Sequence, residues 1–543
     1  MADNKETSEI RQDSIASDDR LIHEGIDELV KLDKSWWKYS YLRNLHWFVF
    51  LITLTSTNNG YDGSMLNGLQ SLSTWQKAMG HPKGQKLGAL SNGALYGNLV
   101  SFLFASYVSD KFGRKWCIMG GNFLTLVGAV LQGASTNYAF FLVSRIILGF
   151  GSGIATVSSP PLISEIAYPT YRPVCTTFYN VCWYLGALVA AWVTYGTRTL
   201  GDEYAWKIPS YLQGFMPVFQ IAFMYWVPES PRWLISKGKN DKAQEVLARI
   251  HTGNATDEKS RKLVAFEMQE IQSTLEMEKI MATSRYVDFI TIKSYRKRIF
   301  LAIFTGIMMQ LSGNGLVSYY LNLVLNSIGI RGEKEQLQIN GGLMAYNLVV
   351  SCIIAASVAR FRRRTLFLTC VSGMLITYIL WTILSALNQQ RNFEDKSFAN
   401  GVLAMIFLYY LSYNIGINGL PFLYVTEILP YSHRAKGINI FQLTQQLVSV
   451  YNGYVNPIAM DAIQWKYYIV YCCILVVELL VVYFFYVETS GYTLEEVAKV
   501  FGDDPNEVLM PLHSPSGKFH SNHHENENSD ISSEKIAMVG SKV

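Results

Sequence analysis

Twelve apolar runs, each close to the ~20 residues that carry a helix across a bilayer, make up most of this chain. They fall at about 45–66, 88–107, 116–135, 139–159, 174–195, 209–227, 299–325, 341–359, 366–387, 398–425, 438–458 and 466–487. The links between them are short and polar, except for one long link at 228–298 that divides six runs from six. The pattern predicts an all-α membrane protein of twelve spans. The division predicts an N-terminal tail (1–44), a first bundle (45–227), a central loop (228–298), a second bundle (299–487) and a C-terminal tail (488–543). An even number of spans puts both tails on one side.

The positions of Lys and Arg say which side. Lys111, Arg114 and Lys115 follow the second run. Arg360, Arg362, Arg363 and Arg364 follow the eighth, and Arg434 and Lys436 follow the tenth. Short loops rich in Lys and Arg stay in the cytosol, so both tails are expected there. The loop carrying Lys77, Lys83 and Lys86 goes against this trend. The first apolar run is too long for the core of a signal peptide, so direct insertion is expected. The sequon Asn254-Ala255-Thr256 then falls on the cytosolic side and is expected to stay unmodified. In the central loop, Leu263, Phe266, Ile271 and Leu275 recur near the helical period among charged residues, which predicts short amphipathic helices.

Composition narrows the class further. Only 16% of the 543 residues are charged, against about a quarter in soluble domains. The charges sit mainly in the tails and the central loop. A net charge of +4 gives no nucleic-acid patch. All seven cysteines lie in apolar runs without metal-ligand spacing and read as small buried hydrophobes. No paired catalytic carboxylates, nucleophile elbow or phosphate loop is present, so an enzyme is not expected. The 503–535 stretch is rich in Pro, His, Ser and Asn and is expected to be disordered. There His520, His523 and His524 read as a solvated tail rather than a metal site, and tail lysines are candidate acceptors for the ubiquitin machinery.

The two halves repeat. Glu165 with Arg172 recurs as Glu427 with Arg434, seven residues apart in both cases. Arg114-Lys115 matches Arg363-Arg364, and Glu229 matches Glu488. The offsets of 262, 249 and 259 residues define parallel repeats of about half the chain. Parallel six-span halves with a site between them are the major facilitator arrangement.

Specific motifs now become recognisable. Pro228-Glu229-Ser230-Pro231-Arg232-Trp233-Leu234 and Asp110-Lys111-Phe112-Gly113-Arg114-Lys115 resemble loop signatures of sugar porters in the major facilitator superfamily. Arg145 with Gly149, Gly151 and Gly153 resembles the fourth-span pattern. Gln310-Leu311-Ser312-Gly313-Asn314-Gly315 with Tyr319 and Tyr320 resembles the seventh. Asn59-Gly60-Tyr61-Asp62-Gly63-Ser64 is similar to fungal lactose-permease-like and hexose-transporter-like members. Three departures stand out. Ala359 and Arg362 replace the Asp and Gly of the second-half loop, Val487 replaces a proline, and Met309 stands where many members have a first Gln.

The resemblance implies a site. A sugar is neutral and rich in hydroxyls, and side-chain amides offer both hydrogen-bonding roles. By motif, Asn180, Gln310, Asn314 and Gln445 are the implied amides, with Tyr319, Tyr320 and Phe422 as an aromatic wall. Similar porters pair the positions of Asp62 and Arg145. A charge within the membrane costs roughly 2.5–3.5 kcal/mol on insertion scales and so implies a task, here carrying the coupling proton. Asp110, Arg114, Glu165, Arg172, Glu229, Arg232, Glu427, Arg434 and Glu488 are the implied cytosolic latch, salt-bridging the halves when the carrier faces outward. Glu478, mid-span in the twelfth run, reads as structural, facing a neighbouring helix.

The implied activity is import of a mono- or disaccharide (hexose, pentose or lactose/cellobiose-like) with protons at the plasma membrane. It needs no cofactor beyond the proton gradient. A proton-independent facilitator of the same fold is the alternative. A non-transporting sugar sensor is a third reading, although such receptors usually carry a much longer tail.

Overall fold

The computed structural model describes residues 32, 34–281, 285–357, 361–393, 396–430, 433–490 and 501–502. Ala359, most of both tails and the histidine-bearing stretch lie outside the described residues. Within them the chain is helical throughout, with no strand.

Eight stretches are long and apolar enough to span a membrane on length and composition alone. One of them, Arg434–Phe485, contains two helices, Arg434–Ile463 and Tyr467–Phe485. The first two helices, Ser40–Gln70 and Gly84–Phe112, are long enough but too polar. The sixth span is broken into Tyr204–Leu212 and Phe215–Met224, each too short to count. With these, twelve membrane-crossing units are present. The rest are Arg114–Gly133, Tyr138–Ile166, Arg172–Thr197, Lys293–Leu311 with Asn314–Ser327, Glu333–Ser357, Arg363–Gln390, and Lys396–Gly416 with Leu420–Ile428.

Three of the spans are interrupted. Hydropathy averages over a break, so an apolar run looks the same whether or not its helix is continuous. The seventh span breaks at Gly313, whose φ of +98° suits a residue without Cβ. It bends again at Tyr320 (φ −137°, ψ 32°). Such breaks survive at membrane depth only when other groups satisfy the freed backbone.

Close helix crossings depend on glycine. A Cβ on Gly60 would lie 1.8 Å from the Trp183 carbonyl oxygen, and one on Gly186 would lie 1.7 Å from that of Thr57. The first and fifth spans therefore touch backbone to backbone, as small residues allow in membrane helices.

The contacts between halves follow the repeat. The fifth span packs on the eighth and the eleventh on the second, while the first meets the seventh. Shifting each by six spans turns one of the first two contacts into the other, as expected of a pseudo-twofold pair. Local detail repeats as well. Glu229 accepts the backbone N–H groups of Arg114 (3.0 Å), Lys115 (3.2 Å) and Ser230 (2.9 Å). Glu488 accepts those of Arg363 (2.8 Å), Arg364 (3.1 Å) and Ser490 (3.0 Å). In each half a carboxylate from the end of the last span caps the third helix, where the helix dipole favours negative charge.

The central segment folds into short helices and a longer one, Glu258–Met281. Leu263 on that helix is buried, and Phe266, Ile271 and Leu275 are half-buried, in keeping with the amphipathic pattern. Its anchor is a buried pair: His251 Nδ1 lies 2.8 Å from Glu267 Oε2, and His251 Nε2 lies 3.0 Å from the Ile166 carbonyl.

Candidate substrate cavity

A cavity of about 1020 Å³ lies between the halves. It runs from Asp62, Trp183 and Tyr319 at mid-span to Arg114, Glu165, Arg232 and Glu278 at the end that carries the central segment. The opposite end is laced shut between the halves. Gln70 Nε2 donates to the Tyr319 carbonyl (2.9 Å), Leu321 N–H to Asn67 Oδ1 (3.1 Å), and Asn322 Nδ2 to the Gln70 carbonyl (3.0 Å). Ser73 N–H donates to Glu333 Oε1 (2.8 Å). One end is sealed and the other is lined by charge.

The wall on the first-half side centres on Asp62. Arg145 grips its two oxygens at 3.0 and 2.9 Å, and Gln213 Nε2 adds a third donor at 2.9 Å. The Arg145 Nε is held by the Leu90 carbonyl at 3.1 Å. A fork of two parallel bonds fixes both position and charge. Beside it, Gly63 leaves open the space that Trp183 and Tyr319 flank. The second half contributes Phe422, Gln442, Gln445 and Gln446.

Of the residues implied by motif, Asp62, Arg145, Tyr319, Phe422 and Gln445 come together on this wall. Asn180 is exposed and does not line the cavity, although Thr176 and Trp183 on the same helix do. Three others do not line it. Asn314 is engaged with tyrosines, donating to Tyr413 OH (3.0 Å) and accepting from Ser318 Oγ (2.8 Å) and Tyr410 OH (3.3 Å). Tyr320 is fully buried, and its hydroxyl donates to the Gly453 carbonyl of the eleventh span within the second half (2.6 Å). Gln310 is half-buried, and its backbone carbonyl accepts from Asn452. The break at Gly313 separates Gln310, at the end of one helix, from Asn314 and Tyr320, on the next.

Several cavity residues were not singled out from sequence. Trp183 falls three residues after Asn180, Gln442 three before Gln445, and Gln446 four after Gln442, so the helical period could have flagged them. Gln213 could not have been found this way, because it sits at the break in the sixth span.

Among the described residues, the ion pairs made by the implied latch residues fall within a half or reach the central segment. Arg114 pairs with Asp110 (2.9 Å) and Glu165 (3.6 Å). Arg363 lies 3.5 Å from Glu427, which also accepts from Thr489 Oγ1 at 2.6 Å. Arg232 pairs with Glu278 of the central segment. Arg172 and Arg434 open the fifth and eleventh helices at equivalent points. Burial pushes the Glu229 carboxyl above the usual glutamate value, while the N–H groups of Ser230, Lys115 and Arg114 pull it back down.

Two six-span halves around a cavity sealed at one end define a solute transporter, not an enzyme. Residues 48–501 match the family model for "Sugar (and other) transporter", and the chain belongs to that family, within the major facilitator superfamily. It is 29% identical over 479 residues to the MFS-type transporter oryC of Aspergillus oryzae, spanning 85% of this chain and 87% of that one. It is 27% identical over 401 residues to the hexose transporter HXT10 of Saccharomyces cerevisiae, covering 73% and 72%. Among solved structures, the inward open conformation of the xylose transporter XylE from E. coli superposes with a TM-score of 0.69. That match has 22% identity and covers 84% of this chain and 99% of that one, a likeness of fold.

Proposed function

We propose that the protein imports a sugar together with a proton at the plasma membrane, with both termini in the cytosol. The carrying observation is the Asp62–Arg145 pair set into the cavity wall beside Trp183 and Tyr319. A sugar seated there presents its hydroxyls to Gln442, Gln445 and Gln446 and its C–H faces to Trp183, Tyr319 and Phe422. Protonation of Asp62 removes one partner of the fork and frees Arg145. The first half then has two states of similar energy, and the proton biases them. The latch pairs, among the described residues held within a half or to the central segment, re-pair across the halves when the carrier faces outward. Exposed pairs are worth only about 0–1 kcal/mol each, which suits contacts remade every cycle. The proton gradient is the energy source, and no cofactor is required.

The relatives and the fold support this reading. They include hexose transporters, and one solved neighbour is described as the proton:xylose symporter XylE bound to 6-bromo-6-deoxy-D-glucose. A proton-independent facilitator is the second reading. It is favoured by the three donors that Asp62 already has, which suit a permanent ion pair.

Expression in a yeast lacking sugar transporters, with a labelled-sugar panel and an uncoupler, separates them. Symport predicts sugar-induced alkalinisation of the medium that is lost in Asp62→Asn. Uptake that ignores the uncoupler, with no alkalinisation, establishes the facilitator.

A further inference from the structure

Glu478 lies outside the cavity wall, in the middle of the twelfth span, and is 2% exposed. Its Oε2 is 3.0 Å from Ser312 Oγ, and its Oε1 has no partner among the described residues. The ionisable groups that interact with it are the Cys370 thiol from the ninth span and Tyr486 just beyond its own helix. Among the described residues no Lys, Arg or His forms an ion pair with it. A bare carboxylate in such a place is costly.

Ser312 decides where the proton is. It is the last residue before Gly313, where the seventh span breaks. Four carbonyls around the break are answered by side chains. Ser312 Oγ donates to Met308 O at 2.5 Å, and Asn452 Nδ2 to Gln310 O. Tyr409 OH donates to Ser312 O at 3.0 Å, and Tyr378 OH to Gly313 O at 3.3 Å. Ser312 Oγ is within donor reach of both Met308 O and Glu478 Oε2, and a serine hydroxyl has one proton, which serves the shorter contact to Met308. The contact to Glu478 then joins two acceptors unless the carboxyl brings a proton of its own.

We propose that Glu478 is a protonated carboxylic acid that donates to Ser312 Oγ and so clasps the break in the seventh span. The relay runs Glu478 O–H to Ser312 Oγ–H to Met308 C=O. It ties the twelfth span to the hinge beyond which Asn314 and Tyr319 are carried. Glu478 is a positioning residue: it touches no substrate and acts through the angle of the broken helix.

The test has a spectroscopic and a kinetic arm, both on full-length protein in proteoliposomes. The infrared difference between wild type and Glu478→Gln should show a protonated-carboxyl carbonyl band unchanged from about pH 5 to about pH 8, although free glutamate is ionised over that whole range. A carboxylate band in its place overturns the proposal. This arm needs no substrate, so it stands whether or not the cargo is a sugar. In the kinetic arm, Glu478→Gln keeps a donor and should transport within about twofold of wild type, whereas Glu478→Leu and Ser312→Ala should each slow turnover about threefold to tenfold. Because the two act on one bond, the double variant should be no slower than the slower single. Should Glu478→Leu fail to fold, Ser312→Ala, which keeps the buried volume nearly intact, carries the comparison. Loss of transport in Glu478→Gln, or additive effects in the double variant, overturns the clasp.

Discussion

Arg145 holds both oxygens of Asp62 with its two terminal nitrogens, at 3.0 and 2.9 Å, while its Nε is fixed to the Leu90 carbonyl. Every donor direction of the guanidinium plane that faces the first span is thus in use. An ammonium group is a point charge and cannot reproduce this fork.

Arg145→Lys should therefore keep the charge but lower uptake by about tenfold or more, and Arg145→Ala should cost about 3–5 kcal/mol of stability by stranding a buried carboxylate. Initial uptake rates normalised to surface abundance, together with thermal unfolding in detergent, check both. Equal uptake by Arg145→Lys and wild type would show that the fork has no role.

The caps made by Glu229 and Glu488 predict a matched pair of effects. Glu229→Ala and Glu488→Ala should each destabilise by about 1–2 kcal/mol, the worth of a lost helix cap. Since the caps lie in different halves, the double variant should show close to the sum. Unfolding midpoints of the four proteins test this. A large excess in the double variant would mean that the halves are coupled through these sites.

The crossing of the first and fifth spans has no room for a methyl group. Gly60→Ala and Gly186→Ala should each push the two helices apart and lower the folded yield, by about 1–3 kcal/mol in line with overpacked cores. Size-exclusion recovery measures this. Gly196, around which a Cβ would meet nothing, is the control, and Gly196→Ala should behave as wild type.

Cavity placement separates residues that the motifs treat alike. Gln445→Ala should raise the half-saturation concentration by about tenfold, the worth of one good hydrogen bond to substrate. Tyr320→Phe should leave it nearly unchanged, because its hydroxyl is bonded to the Gly453 carbonyl and does not line the cavity. Concentration series of labelled-sugar uptake decide between them. A reversed order would move the site off the wall described here.

The sequence carried much of this. Apolar run length set the number of spans, because a bilayer has a fixed thickness. The paired Glu165/Arg172 and Glu427/Arg434 motifs set the repeat, because equivalent positions in duplicated bundles meet equivalent partners. The pairing of Asp62 with Arg145 was legible from the resemblance. A charge with no partner would be too costly at that depth, so finding one pointed to the other.

Other features formed only on folding. Hydropathy cannot register a helix break, so the turn at Gly313 was invisible along the chain. The pairing of latch charges within a half or to the central segment, among the described residues, depends on which end of the cavity is sealed, and that is a matter of conformation, not composition. Gln213 reached Asp62, and Glu478 reached Ser312, only through helices brought together from more than 100 residues apart. Sequence sets which side chains are available and how often they recur; packing alone decides which atoms are close enough to share a proton.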